Sequence, residues 1–308
     1  MGKASAGRQE ASRRQRIAAQ RAAAQRTQRR NRLLIAGGAI IAVVAVIVAF
    51  VALRGNSSSP AAPTPPTGSA LAQVVTTTTS VPAATLDAVG AGQTTGHPTP
   101  ITGPALTSGG KPEMLYMGAE YCPYCAAERW SMIVALNRFG TFSGLSATHS
   151  AAKNGAGQPE PFPNTATFTF YRSTYTSKYL TFTTVEMNTN IPDPSTGGYT
   201  NLQTPTSEQQ ALMTKWNAPP YVPSGYQGSI PFIDFGNKYM ISGASYNPQV
   251  LAGKTWAQIS AALHDPSSQI AQAVNGTANY ITAAICKLTG NQPATACTSV
   301  VQSLQSKI

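Results

Sequence analysis

Two cysteines three residues apart, Cys122 and Cys125, stand between a short apolar run and an unbroken helical stretch. The run Met114-Leu115-Tyr116-Met117 has the length and composition of a buried strand, and Gly118-Ala119 turns the chain after it. From Cys122 to Phe139 no glycine intervenes, Trp130 meets Ile133 and Val134 at helical spacing, and Gly140 provides a stop. Cys122 therefore falls near the helix N-cap, where unpaired backbone N–H groups and the positive dipole end favour a thiolate. Pro123 suits the first turn, where its missing N–H has no intrahelical partner, and the three-residue offset puts Cys125 on the same face. The spacing predicts Cys122 as a nucleophile and Cys125 as the thiol that resolves a mixed disulfide.

Around this unit the pattern continues as a mixed α/β chain. Thr167 to Phe170 and Tyr179 to Phe182 alternate as two strands separated by a polar Ser/Thr turn. Ser207 to Trp216 reads as a helix capped by Thr206 or Ser207. Ile230 to Phe235, the Gly236-Asn237 turn and Lys238 to Ile241 read as a hairpin. Helices over Trp256–Leu263 and Gln269–Leu288 follow. This order predicts a mixed α+β sheet covered by helices. Trp130 is expected in the core, Glu120 in a solvated turn and Arg129 on the helix surface. The Glu120 charge disfavours a Cys122 thiolate, and the Arg129 charge favours it.

The chain is unevenly charged. Of 22 lysines and arginines against 11 acids, eleven bases and only Glu10 precede Gly55. The folding part is nearly neutral, which excludes a basic nucleic-acid-binding face. Leu33 to Leu53 carries no charge over 21 residues, enough to span a bilayer core of about 30 Å as a helix. Ten bases precede it and only Arg54 follows directly, so residues 1–32 read as a solvated cytoplasmic tail, with everything after Arg54 extracytoplasmic. Residues 54–85 read as a linker, because 24 of the 30 residues from Gly55 to Ala84 are Pro, Ser, Thr, Gly or Ala, a composition too poor to bury a core. A domain over 86–265 and a C-terminal helical extension over 266–308 complete the organisation.

The four cysteines all follow the apolar run, and an even count in an oxidising compartment suggests two disulfides. Cys286 and Cys297 flank a turn with Gly290 and Pro293 and read as a clasp between helices, a relay pair for Cys122 and Cys125 being the alternative. Zinc needs a second ligand pair, and neither these cysteines nor His97, His149 and His264 have the spacing, so no metal or cofactor is expected.

The strand, the Cys122-Pro123-Tyr124-Cys125 helix start and the distant Ile230-Pro231 that opens a hairpin ending at Gly243-Ala244 resemble the thioredoxin superfamily. CPYC itself is similar to the glutaredoxin active site. More closely, GAEYCPYCAAERW at Gly118 to Trp130, IPFIDFGNKY at Ile230 to Tyr239 and AICKLTG at Ala284 to Gly290 resemble membrane-anchored proteins grouped as domain of unknown function 929. The resemblance implies a thioredoxin-like fold and a cis Pro231 beside Cys122. It also implies that the Ile230 backbone pairs with an extended substrate, Tyr124 contributing to the same binding surface. Two departures stand out. The acidic pair of glutaredoxins is replaced by Ala244-Ser245-Tyr246, which argues against glutathione as partner, and the long interval from Cys125 to Pro231 holds an insertion over Thr167 to Trp216. No buried carboxylate is evident in the strand before the motif, where thioredoxins keep one as a proton acceptor and this chain has Tyr116 and Met117. The expectation is a membrane-anchored thiol-disulfide oxidoreductase acting on extracytoplasmic protein thiols and disulfides, with a possible membrane redox partner. The alternative is a tethered, non-catalytic peptide-binding module.

Overall fold

The computed structural model describes residues 62–308. The tail 1–32 and the apolar run Leu33–Leu53 lie outside the described residues, and among those described no helix is long and apolar enough to cross a membrane.

The linker reading is corrected at its second half. Helix α1 spans Gly68–Thr79 and α2 spans Ala83–Val89. Leu71, Val74, Val75 and Thr78 recur at i, i+3, i+4 and i+7, a narrow stripe that composition counting averages away. Val74 and Thr78 are buried, and Leu71 and Val75 pack on the same core. The threonines suit the helix because their hydroxyls donate back to carbonyls four residues earlier, Thr78 to Val74 at 2.8 Å and Thr79 to Val75 at 2.9 Å. Asn137 Nδ2 and His264 Nε2 hold the end of α1 through the Thr79 and Thr77 carbonyls.

Two short strands, β1 (Thr99–Pro100) and β2 (Thr107–Ser108), lead into β3 (Lys111–Gly118), whose last five residues are buried. Helix α3 (Pro123–Leu136) follows. Next come β4 (Gly140–Ser143), β5 (Ser146–His149), β6 (Ala166–Thr169), β7 (Thr174–Ser177), β8 (Thr181–Glu186), β9 (Asn188–Asp193) and β10 (Gly198–Asn201). Helix α4 (Ser207–Trp216), the strands β11 (Phe232–Phe235) and β12 (Tyr239–Ser242), α5 (Trp256–Ala262), α6 (Gln269–Leu288) and α7 (Ser299–Leu304) complete the chain.

The fold is mixed α/β around a mixed six-stranded sheet. β3 is its centre: β8 runs parallel to it, Tyr116 opposite Thr184 and Gly118 opposite Glu186, while β11 runs antiparallel, Phe232 opposite Met117. β12 pairs with β11 across the Gly236-Asn237 turn, where both residues take positive φ. The two alternating stretches read as strands join different sheets. β6 pairs with β5, whereas β8 starts two residues later than Tyr179 and joins the central sheet. The Ser/Thr segment between them holds β7, paired with β4 and anchored by the Tyr175 hydroxyl on the Leu136 carbonyl at 2.7 Å. Gly140 opens β4 and permits this pairing, since a Cβ there would stand 2.3 Å from the Thr176 carbonyl oxygen.

Helix α3 is buried along almost its whole length, with α6 and β6 packed on it and Trp130 donating to the Ala166 carbonyl at 2.9 Å. Ser131 Oγ donates to the Val274 carbonyl of α6 at 2.9 Å. Cys286, near the end of α6, is disulfide-bonded to Cys297 ahead of α7, with a Cα separation of 5.8 Å. A loop this short stabilises a fold by about 3 kcal/mol in the chain-entropy model. Replacing both cysteines by alanine is expected to lower the thermal midpoint by about 6–12 °C, read by calorimetry, and to leave Cys122 and Cys125 still able to pair.

Candidate active site

β3 ends at Gly118, the chain turns through Ala119, Glu120 and Tyr121, and Cys122 caps α3 with extended backbone and Pro123 in the first turn. The cap is the sulfur itself: Cys122 Sγ accepts the Cys125 N–H at 3.3 Å. On its other side the Cys122 thiol donates to the Ile230 carbonyl at 3.7 Å. The Ile230–Pro231 peptide is cis, and the β11 register places Pro231 one position beyond the Phe232–Met117 pair, at the end of β3. The structure thus brings Cys122, Cys125, Ile230 and Pro231 together. Tyr124 stands at the rim, half-buried and edge-on to Phe162. Cys286 and Cys297 are bonded to each other, leaving Cys122 and Cys125 as the free thiols.

The insertion contributes walls. Met187 N–H donates to the Gly118 carbonyl at 2.7 Å and Glu120 N–H to the Asn188 carbonyl at 2.9 Å, so the β9–β10 hairpin is tied to the loop before Cys122. Tyr121 stacks on Tyr199 with ring centroids 4.0 Å apart, and the Tyr199 hydroxyl donates to Glu160 at 2.5 Å.

Two charge assignments change. Arg129 is fully buried rather than on the surface: Nε and Nη2 donate to the two Glu186 carboxylate oxygens at 2.9 and 2.7 Å, and Nη2 also donates to the Ala119 carbonyl at 2.7 Å. Glu120 is half-buried, and burial raises its pKa. Glu186 escaped sequence reading. An acidic residue closing the apolar end of Thr181 to Val185 is the one signal that marks it, because a carboxylate at the buried end of a strand needs a cation.

These groups set the thiols apart. Burial pushes Cys122 up, but the Cys125 thiol and N–H, the Arg129 guanidinium and the Tyr124 N–H outweigh it, and the net direction is down. Burial pushes Cys125 well above an ordinary thiol, and its hydrogen bond and charge interaction with Cys122 add to this. The arrangement can therefore ionise Cys122 first, with Cys125 held protonated behind it. Among the described residues no group of three or more His, Cys, Asp or Glu side chains could hold a metal ion.

Residues 99–287 match the family described as Domain of unknown function (DUF929). The chain belongs to this family. No curated protein and no solved structure matches it. The DUF929 match contains β3, the CPYC cap, the Arg129–Glu186 pair, the Ile230-Pro231 segment and most of α6. Also within it lie two buried carboxyls, Glu128, which accepts from Ser245 N–H and Oγ at 2.9 Å each, and Asp234, which accepts from Asn237 N–H at 2.6 Å.

Two measurements test this electrostatic reading of the DUF929 domain. Glu186→Gln leaves a buried guanidinium without counter-charge and is expected to cost about 3–5 kcal/mol in chemical denaturation. The apolar pair Arg129→Met with Glu186→Leu restores most of that stability, yet the Cys122 thiolate then titrates at higher pH because the cation is gone. Burial raises Glu128 and Asp234 to about 7 each. Their folded-state pKa values lie above the ordinary carboxyl values, so the native state holds their protons longer than the unfolded chain does. Their contribution to stability is therefore full below about pH 4 and lost progressively as pH rises to about 7, at about 1 kcal/mol per pH unit per group. Glu128→Gln removes one of the two slopes from a denaturation series across that range.

Proposed function

We propose that this protein is a membrane-anchored, extracytoplasmic thiol-disulfide oxidoreductase of thioredoxin-like fold, acting on protein thiols and disulfides through Cys122 and Cys125. The observation that carries the reading is the cap of α3: a sulfur at a helix N-terminus, held by the N–H of a second cysteine and pushed toward its thiolate. The strand order β8-β3-β11-β12, with only β8 parallel to β3, supports the thioredoxin-like assignment, as does the placement of the CPYC turn directly after the central strand. The uncharged run Leu33–Leu53 and the bases ahead of it support anchoring with the N-terminus in the cytoplasm. A membrane redox partner that recharges the pair is part of the same proposal.

In this role Cys122 thiolate attacks a client disulfide, or the Cys122–Cys125 disulfide accepts a client thiolate. Both directions pass through a mixed disulfide on Cys122: Cys125 resolves it when the client is reduced, and a second client thiolate resolves it when the client is oxidised, Cys125 having left as the thiolate. The Ile230 backbone and Tyr124 flank the sulfur and would orient an extended client segment. A second reading has its own observation: Cys122 is only 4% exposed, which suits a non-catalytic module that holds an extended peptide in the same groove.

Equilibration of the full chain in a series of glutathione redox buffers, with thiols counted by mass, separates the two. The oxidoreductase reading expects one two-electron transition confined to Cys122 and Cys125, with a midpoint between about −270 and −120 mV, abolished by Cys122→Ser. A pair that stays reduced throughout while the protein remains folded would reject catalysis and leave the peptide-binding module.

A further inference from the structure

Tyr116 and Gly118 are two residues apart on β3 and so face the same way. Gly118 has no side chain, and the Tyr116 phenol and the Cys125 sulfur close on the space one would take. A Cβ at Gly118 would lie 2.1 Å from Tyr116 Oη and 3.1 Å from Cys125 Sγ. Tyr116 is fully buried, packed edge-on against Phe170, and its hydroxyl has no hydrogen-bond partner. Arg129 Nη1 is also buried without a partner, and its guanidinium stands 5.9 Å from the Tyr116 ring centroid. Two orphan donors thus lie behind the buried thiol. An unsatisfied buried hydroxyl is a cost to folding that phenylalanine would avoid at the same volume. A use outside the resting state would offset that cost.

We infer that the Tyr116 hydroxyl is held beside Cys125 to donate a hydrogen bond to its thiolate during resolution, with the Arg129 guanidinium supplying positive charge behind it. This rests on the oxidoreductase reading. In the first step Cys122 thiolate attacks a disulfide R–S–S–R′, forming Cys122–S–S–R and releasing R′–S⁻. Cys125 then gives its proton to R′–S⁻, and its thiolate attacks Cys122 Sγ. The Cys122–Cys125 bond forms, the bond to R breaks and R–S⁻ leaves. Two electrons pass from the cysteine pair to the substrate. Between these events a full negative charge sits on a sulfur removed from water, and a neighbouring hydroxyl with no competing partner in the resting state can turn to meet it. The titratable and charged groups facing this space are Cys122 at the cap of α3, Arg129 on α3, Tyr121 in the loop before the cap and Glu186 on β8. Glu186 is committed to Arg129, while β11 presents Ile233 opposite Tyr116. Tyr116 is on this account a positioning residue for the resolving thiolate, and Gly118 is what allows the approach.

The test uses the full chain reacted with excess oxidised glutathione, acid-quenched and read by mass. The wild type is expected to pass through a Cys122–glutathione mixed disulfide to the internal disulfide, and Cys125→Ser to stop at the mixed species. Tyr116→Phe is expected to form the mixed species at a rate within about twofold of wild type. Its resolution should be about tenfold slower at neutral pH, with the pH midpoint of that step about one unit higher and the thermal midpoint unchanged or raised. Resolution by Tyr116→Phe at the wild-type rate and midpoint overturns the inference while leaving the oxidoreductase reading intact. A lowered thermal midpoint with both steps slowed equally assigns Tyr116 a structural role and also overturns it. A wild type that forms neither product fails the oxidoreductase reading itself, and the inference with it.

Discussion

The guanidinium of Arg129 is the joint on which the centre of the molecule is assembled. It lies on α3, holds the β3–α3 loop through the Ala119 carbonyl, and fixes β8 through both oxygens of Glu186. Glu186 Oε1 accepts in addition the Phe170 N–H that follows β6, and the Glu186 N–H is taken by Gln203. One buried cation therefore ties the helix that carries the cysteines to two strands and to the start of the inserted region. Desolvating such a pair is expensive, and its attraction repays the cost only when geometry and the surrounding bonds are good. The bidentate contact and the added carbonyl satisfy Nε and Nη2, leaving only Nη1 of the guanidinium without a partner.

The same neighbourhood explains why two chemically identical thiols differ. Cys122 stands at the helix end, where a backbone N–H and a distant cation share the charge, while Cys125 is one turn in, fully buried, and held protonated by burial and by its bond to Cys122. Burial alone would raise both. The difference comes from which of them terminates the helix, a property of a single residue's position relative to Pro123.

How much of this was legible in the sequence follows from the range of the interactions involved. The strand before Gly118, the cap at Cys122, the helix α4 and the bounds of α6 rest on local signals, and the positive-φ pair Gly236-Asn237 marks its hairpin. Helix α1 was hidden because small and β-branched residues carry its stripe, so a count of residue types reads as linker what spacing resolves as a face. The Thr174–Ser177 strand was hidden because its partner, β4, lies more than thirty residues earlier. Arg129 and Glu186 are 57 residues apart, and no periodicity announces that a charged residue on a helix will be answered by one on a parallel strand. Glu186 lies on the neighbouring strand, directly opposite Gly118, where inspection of β3 alone could not find it.

The docking of α1 also sets a length. With Gly68 already in a helix seated on the domain, only residues 54–67 separate that helix from the apolar run. Fourteen residues reach at most about 50 Å even when fully drawn out. On the membrane-anchored reading, the length of this leash becomes a property that selection can act on, since lengthening or shortening it changes which clients the cysteine pair meets without altering the segment it recognises.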